Sequence, residues 1–207
     1  MISKELNYFF YSDLYRVYNN YDKKLLVKII FNIDVTPGSR YVFFMRICNE
    51  LYNNKKSIIR KVLFKIMYRK LLKLQVNYGI QISCASEIGP GFTLPHFGNI
   101  VLGEQVTIGK NCTILQGVTI GSNLFKDRFK LAKIGDNVLI GAGAKIIGPI
   151  KIGNNVTIGA NSVITKDIPD GAVVAGNPAK IISYKDSIVI YNDYMTFEEF
   201  YHKNRGV

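Results

Sequence analysis

The chain of 207 residues contains two histidines, His96 and His202, and imidazole is the side chain best suited to take a proton from a hydroxyl near neutral pH. His202 lies close to the end of the sequence and reads as exposed and idle. His96 stands beside Pro95 and near Gly98, where two repeat frames collide, and is the candidate general base. A second pattern needs no titratable group. Ala142 and Ala160 are 18 residues apart, each directly after an Ile-Gly pair, and Gly143 and Asn161 follow them in register. Small residues stacked on one edge leave backbone groups open along a groove, where a thin ligand rich in amides, such as a pantetheine arm, can lie. Lys166 and Lys180 are expected near the end of that groove, as partners for phosphates.

What must hold these residues is written in a period of six. An aliphatic residue followed by glycine recurs at Leu102-Gly103, Ile108-Gly109, Ile120-Gly121, Ile134-Gly135, Ile140-Gly141, Ile152-Gly153 and Ile158-Gly159. Ile114, Ile146 and Ile164 fall on the same count. Four residues after many of them comes a small or branched side chain, including Val106, Cys112, Val138 and Val156. This is the hexapeptide period of a parallel β-helix, in which each repeat supplies one short strand and one corner of a triangular coil. A β-sandwich would need alternation by two and turn signals every eight to twelve residues or so, which this stretch lacks. Counting forward from Ile88 the frame reaches Leu94, whereas counting back from Leu102 it reaches His96. The coil is therefore expected to be distended at Phe92–His96, and such a bulge re-aims a side chain. Fourteen residues separate Ile120 from Ile134, two more than two repeats, which places a loop within Gly121–Lys133.

Before the repeats the chain reads as helical. The expected organisation is an α-helical domain over 1–78, a β-helix over 79–183 and a tail over 184–207. Thr36-Pro37 offers an N-cap with proline at the first helical position, and Ser57 caps a longer helix that Gly79 ends. In that helix Ile58/Ile59, Val62/Leu63 and Ile66/Met67 recur four apart, and they are expected to pack on neighbouring helices and on the first coil.

The net charge is +12, and 15 Lys and Arg against 5 Asp and Glu fall within Met1–Tyr78. A basic segment suits phosphate-bearing or acidic partners and leaves peripheral association with an anionic membrane open. Nucleic-acid binding would rest on charge alone, with no recognised motif, and is not expected. Cys48, Cys84 and Cys112 are widely spaced and read as reduced core residues. With no signal peptide legible at Met1–Phe10, the expected location is cytoplasmic.

The repeats resemble those of the hexapeptide-repeat acyltransferases. The resemblance rests on Ile140-Gly-Ala-Gly-Ala-Lys145, Ile158-Gly-Ala-Asn-Ser-Val163, Thr165-Lys-Asp-Ile-Pro169 and Ala175-Gly-Asn-Pro-Ala-Lys180. The helical start, the His-x-x-Gly at His96 and Gln116-Gly-Val-Thr-Ile-Gly121 are similar to the serine O-acetyltransferase branch. The resemblance implies a left-handed β-helix working as a homotrimer, with acetyl-CoA as co-substrate and no metal. It implies that His96 is the catalytic base and that Ala142, Ala160 and Lys180 line the CoA site. Gly143 and Lys166 are expected beside them from their place along the groove, and in the expected mechanism a backbone amide at Gly121 or Ser122 meets the oxyanion.

Three departures touch the acceptor side. Where that branch carries an aspartate that orients the histidine, this chain has Gln81, and directly before the histidine it has Pro95. Where the branch reads Asp-Arg-His-Pro in its loop, this chain reads Asp127-Arg128-Phe129-Lys130. On those departures the expected reaction is O-acetylation of a sugar hydroxyl of a surface polysaccharide, on a nucleotide- or lipid-linked or polymeric glycan. Gln81, Asp127, Arg128 and Phe129 would then be on the acceptor side. Serine O-acetylation is the alternative, and a non-catalytic β-helix scaffold is the second.

Overall fold

The computed structural model describes residues 3–54, 57–104, 106–125, 129–184 and 194–203. Four helices come first: α1 (Lys4–Tyr18), α2 (Lys23–Phe31), α3 (Pro37–Asn53) and α4 (Ile58–Tyr78). Each begins at a side chain that accepts a bond from an otherwise unpaired N–H of the first turn. Ser3 takes Leu6, Asp22 takes Leu25, Thr36 takes Ser39 and Ser57 takes Arg60. Pro37 occupies the start of α3, and Gly79, at φ 60°, ends α4, as their positions in the sequence predict.

From Ile80 onward the chain winds into a three-sided coil of short parallel strands. The first face stacks Ile80–Gln81, Ile100–Leu102, Thr119–Gly121, Lys145–Ile147 and Val163–Ile164. The second stacks Glu87–Ile88, Thr107–Ile108, Lys133–Ile134 and Lys151–Ile152. The third stacks Thr113–Ile114, Leu139–Ile140, Thr157–Ile158 and Ala172–Gly176, which turns back into the antiparallel strand Ala179–Tyr184. The aliphatics of the six-residue period point inward and align from coil to coil, as in Leu102, Ile120, Ile146 and Ile164 on the first face. All four are buried, and so is Cys112 at its small-residue position. A hydrophobic stack of this kind exists only when neighbouring coils supply its two ends.

Register locates both breaks in the period. Thr93 bridges Thr113, so the first coil keeps its third face, and Leu94 is buried there. The two surplus residues therefore lie after Leu94, in the corner Pro95–Asn99, and not across Phe92–His96 as the frame count suggested. At the second break, Ile120 aligns on the first face and Ile134 on the second. These faces are consecutive, so the stretch is a single repeat enlarged by an excursion rather than two repeats with a small excess.

The open end of the coil would expose a row of unpaired backbone groups, and α1 and α3 close it. The Tyr41 hydroxyl donates to the Ile82 carbonyl at 2.9 Å and accepts from the Ile82 N–H at 3.1 Å. Asn49 donates to the Cys84 carbonyl at 2.8 Å. Arg46 donates to the Ile88 and Gly89 carbonyls and is held by Asp13 at 2.8 and 3.2 Å, in a fully buried ion pair. Asp13 in turn accepts from the Phe92 N–H at 2.8 Å, and Arg16 donates to the Gly91 carbonyl. Gly38 lets α3 press on the same coil, because a Cβ there would stand 1.8 Å from the Leu94 carbonyl oxygen.

At the periphery one expectation fails, and the tail, readable as a short tail or a helix, takes the helical form. Most of α4 does not bury its apolar pairs: Ile58, Ile59, Val62, Leu63 and Ile66 are exposed, while Leu71 and Leu74, nearer the coil, are buried. The tail carries a helix, α5 (Phe197–Lys203), whose Phe200 stacks on Tyr11 of α1 with ring centroids 4.4 Å apart. Tyr194 reaches back to the coil, donating to Asn111 at 2.6 Å.

Candidate active site

The corner between the third and first faces gathers one group of the sequence candidates. In the first coil it is the enlarged segment Pro95–Asn99, which presents His96 and Phe97 to solvent. Below it come Gln116 and Gly117, then Ala142 and Gly143, then Ala160 and Asn161. The corners are tied in a ladder: Gly117 N–H to the Gly98 carbonyl at 2.9 Å, Gly143 N–H to Gln116 at 2.8 Å, and Asn161 N–H to Ala142 at 2.8 Å. Small residues are required here for a steric reason. Gly143 is held at φ 74°, and a Cβ on it would lie 2.1 Å from the Asn161 side-chain oxygen. The ladder also corrects one detail, since the Ala142 carbonyl and the Asn161 N–H are paired with each other and not left open for a ligand. Lys180 sits at the lower end of this column, opposite Ala175 in the closing hairpin.

His96 is exposed in the single chain, and the described residues form no hydrogen bond to its imidazole. Gln81 lies on the first face, paired in register with Val101, and is also exposed. A residue that the sequence reading left out of the site braces this corner. Lys145 extends along the first face, and its ammonium donates to the Gly117 carbonyl at 2.6 Å and to the Thr119 hydroxyl at 3.1 Å. Gly117 is the residue bonded to Gly98, so Lys145 is two links from the segment that carries His96. Its signal was the lysine that ends Ile140-Gly-Ala-Gly-Ala-Lys145, inside a strand whose register neighbours are threonine and valine.

The remaining candidates are elsewhere. Gly121 ends its first-face strand, its carbonyl accepting from Gly148 N–H at 2.9 Å, so Gly121 and Ser122 begin the corner between the first and second faces. Phe129 follows on the far side of the excursion and is 87% exposed. Lys166, between Ile164 of the first face and Ile168 of the second, belongs to this corner too, and not to the groove it was assigned to. A groove here is lined by Glu104, Phe129, Lys130, Leu131, Pro149 and Asp167, among others. Asp127 and Arg128 lie outside the described residues. The first face thus separates His96 and the alanine column from Gly121, Ser122, Phe129 and Lys166.

A coil of this period, with a histidine at an enlarged corner and a column of small residues below it, has the form of a hexapeptide-repeat transferase. The family model described as bacterial transferase hexapeptide (six repeats) matches residues 132–166, and hexapeptide repeat of succinyl-transferase matches residues 99–124. A serine acetyltransferase of Staphylococcus aureus is 39% identical over 150 residues, covering 72% of this chain and 67% of that protein. The crystal structure of Neisseria gonorrhoeae serine acetyltransferase superposes with a TM-score of 0.71 at 30% identity, over 90% of this chain and 68% of that one. A serine acetyltransferase in complex with CoA superposes at 0.68 with 31% identity, over 86% of this chain and 70% of that one. The chain belongs to the serine acetyltransferase family of hexapeptide-repeat acyltransferases, and its fold is the left-handed parallel β-helix of that family. It is an acyltransferase, which removes the scaffold reading. The expected sugar acceptor is overturned as well, because the relatives and structural neighbours are serine acetyltransferases, and the departures at Gln81, Pro95 and Phe129 do not outweigh identity over most of the chain.

Proposed function

We propose that this protein transfers the acetyl group of acetyl-CoA to the hydroxyl of L-serine. The observation that carries the reading is the shared corner: His96 heads a column in which Ala142 and Ala160 leave room for an extended thioester arm. In the proposed step the His96 imidazole takes the hydroxyl proton while the serine oxygen attacks the thioester carbonyl. The tetrahedral intermediate then expels the CoA thiolate, which recovers the proton from the imidazolium, so nothing is left bound to the enzyme. A backbone N–H at Gly121 or Ser122 would stabilise the oxyanion, and Lys180 and Lys166 would meet CoA phosphates. Lys145 acts as a positioning residue, holding the Gly117 corner that supports the His96 segment.

The two corners are joined by assembly. In a homotrimer, which is the state usual for hexapeptide-repeat acetyltransferases, the edge of one coil faces a different edge of its neighbour, since a threefold interface is heterologous. His96 of one chain would then face Gly121 and Ser122 of the next. Since Gln81 and Pro95 bring no charge, Asp127 and Arg128 are the proposed partners of the serine ammonium and carboxylate. A site for free serine needs both charges paired, because unpaired polar groups in a site cost several kcal/mol, roughly.

The test is acetyl-CoA consumption with L-serine, with release of CoA followed by thiol titration. The expected result is a kcat/KM of about 10⁴ M⁻¹s⁻¹ or more. Absence of turnover with L-serine, in a preparation that binds acetyl-CoA, would remove the acceptor assignment while leaving the acyltransferase intact.

A further inference from the structure

Two helices leave uncovered the side chains that a folded domain ordinarily buries. On α4, Ile58 is 79% exposed and Ile59 73%, and on α2 Phe31 is 70% exposed. Val62 and Ile66 of α4 and Val27 and Ile30 of α2 are exposed with them. The two helices meet at this surface: Ile30 of α2 and Ile59 and Leu63 of α4 line one apolar groove with the buried Phe43 and Phe44 of α3 beneath, and Val62 and Ile66 line a second groove along α4. A contiguous apolar face of this kind on a protein surface marks a place where something docks.

Charge decides between occupants. Neither α2 nor α4 contains Asp or Glu, while Lys23, Lys24, Lys28, Arg60, Lys61 and Lys65 stand among the apolar residues. The acidic groups nearby are Asp22 at the α2 N-cap, Asp34 at 4.0 Å from Lys28, and Glu50 at the groove. Pressing the same face of a second copy onto this one would set six cations against six with little to offset them. A basic apolar face matches a lipid interface instead, where long cationic side chains can lay their stems along apolar surface and reach phosphates with their heads. No helix among the described residues is long and apolar enough to cross a membrane, so the association this surface suits is peripheral.

We infer that α2 and the first half of α4 form a platform that docks the protein on an anionic lipid bilayer. Phe31, Ile58, Ile59 and Val62 enter the boundary between headgroups and acyl chains, and the lysines and Arg60 meet lipid phosphates. The inference is independent of the acceptor reading, since none of these residues belongs to either corner of the site.

The experiment is flotation of the full chain with vesicles of phosphatidylcholine alone and of phosphatidylcholine mixed with phosphatidylglycerol. The expected result is co-flotation with the anionic vesicles only, falling about fivefold or more when added salt screens the headgroups. The double variant Phe31→Ser/Ile59→Ser should lower co-flotation about tenfold or more while acetyl-CoA turnover is retained, since both side chains are already exposed. Failure to float with anionic vesicles, or undiminished flotation of the folded double variant, overturns the proposal. So does sedimentation showing that the double variant forms a smaller assembly than the parent protein, which would give the face to a second copy.

Discussion

His96 owes its place to two surplus residues in the corner after Leu94, and this sets what its removal should do. His96→Ala deletes the proposed base without touching the ladder bonds through Gly98, Gln116 and Ala142. The expected loss in kcat is about 10²–10⁴-fold with acetyl-CoA affinity nearly unchanged. Activity within a few-fold of the parent would take His96 out of the mechanism. Ala160 is exposed at the foot of the same column. Ala160→Tyr should fill the groove and weaken acetyl-CoA binding in calorimetry with the coil intact, and unchanged affinity in a folded variant would move the thioester arm elsewhere. The cysteines make a separate prediction. Burial pushes the Cys48 and Cys112 thiols up to about 12, so neither supplies thiolate at neutral pH. Both should resist iodoacetamide in the native protein and react once it is unfolded, which mass spectrometry of the alkylated peptides would resolve.

At the scale of elements, the first coil depends on helices distant in sequence. Its backbone is held by Tyr41, Arg46 and Asn49 of α3 and by Asp13 and Arg16 of α1. Arg46→Met keeps most of the side-chain volume but leaves the Asp13 carboxylate buried without its partner. Breaking a buried pair in this way costs about 3–5 kcal/mol, more than the pair contributes over a well-packed apolar substitute. The variant should show a matching fall in urea midpoint. A double variant that also removes the charge, Asp13→Leu/Arg46→Met, should recover part of it. If Arg46→Met unfolds at the parent midpoint, the clamp is not what holds the first coil. That capping also reaches the site, because Gly89, Gly91 and Phe92 are the residues just before the enlarged corner.

At the scale of the whole molecule, the first face keeps the two groups of candidate residues apart within one chain. The proposed trimer predicts complementation. His96→Ala chains and Ser122→Tyr chains, each nearly inactive alone, should regain activity when unfolded together and refolded as mixed trimers. Random mixing gives about a quarter of the sites an intact residue on both sides. No recovery in verified mixed trimers would mean that each site is built from one chain.

Most of the coil was legible in the sequence, because a six-residue aliphatic period has few structural solutions and each inward residue reports its own burial. Helix ends were legible for a similar reason: Thr36, Pro37, Ser57 and Gly79 act through backbone groups within a few residues of themselves. Arithmetic on that period singled out His96 and the alanine column, and the ladder bonds place them at one corner. What depended on distant partners was not legible. Ile120 and Ile134 fall on adjacent faces only because register with their neighbours places them there. The exposure of Ile58, Ile59 and Phe31 was hidden for the same physical reason. A sequence shows which face of a helix is apolar, but only the packed molecule decides whether that face is covered.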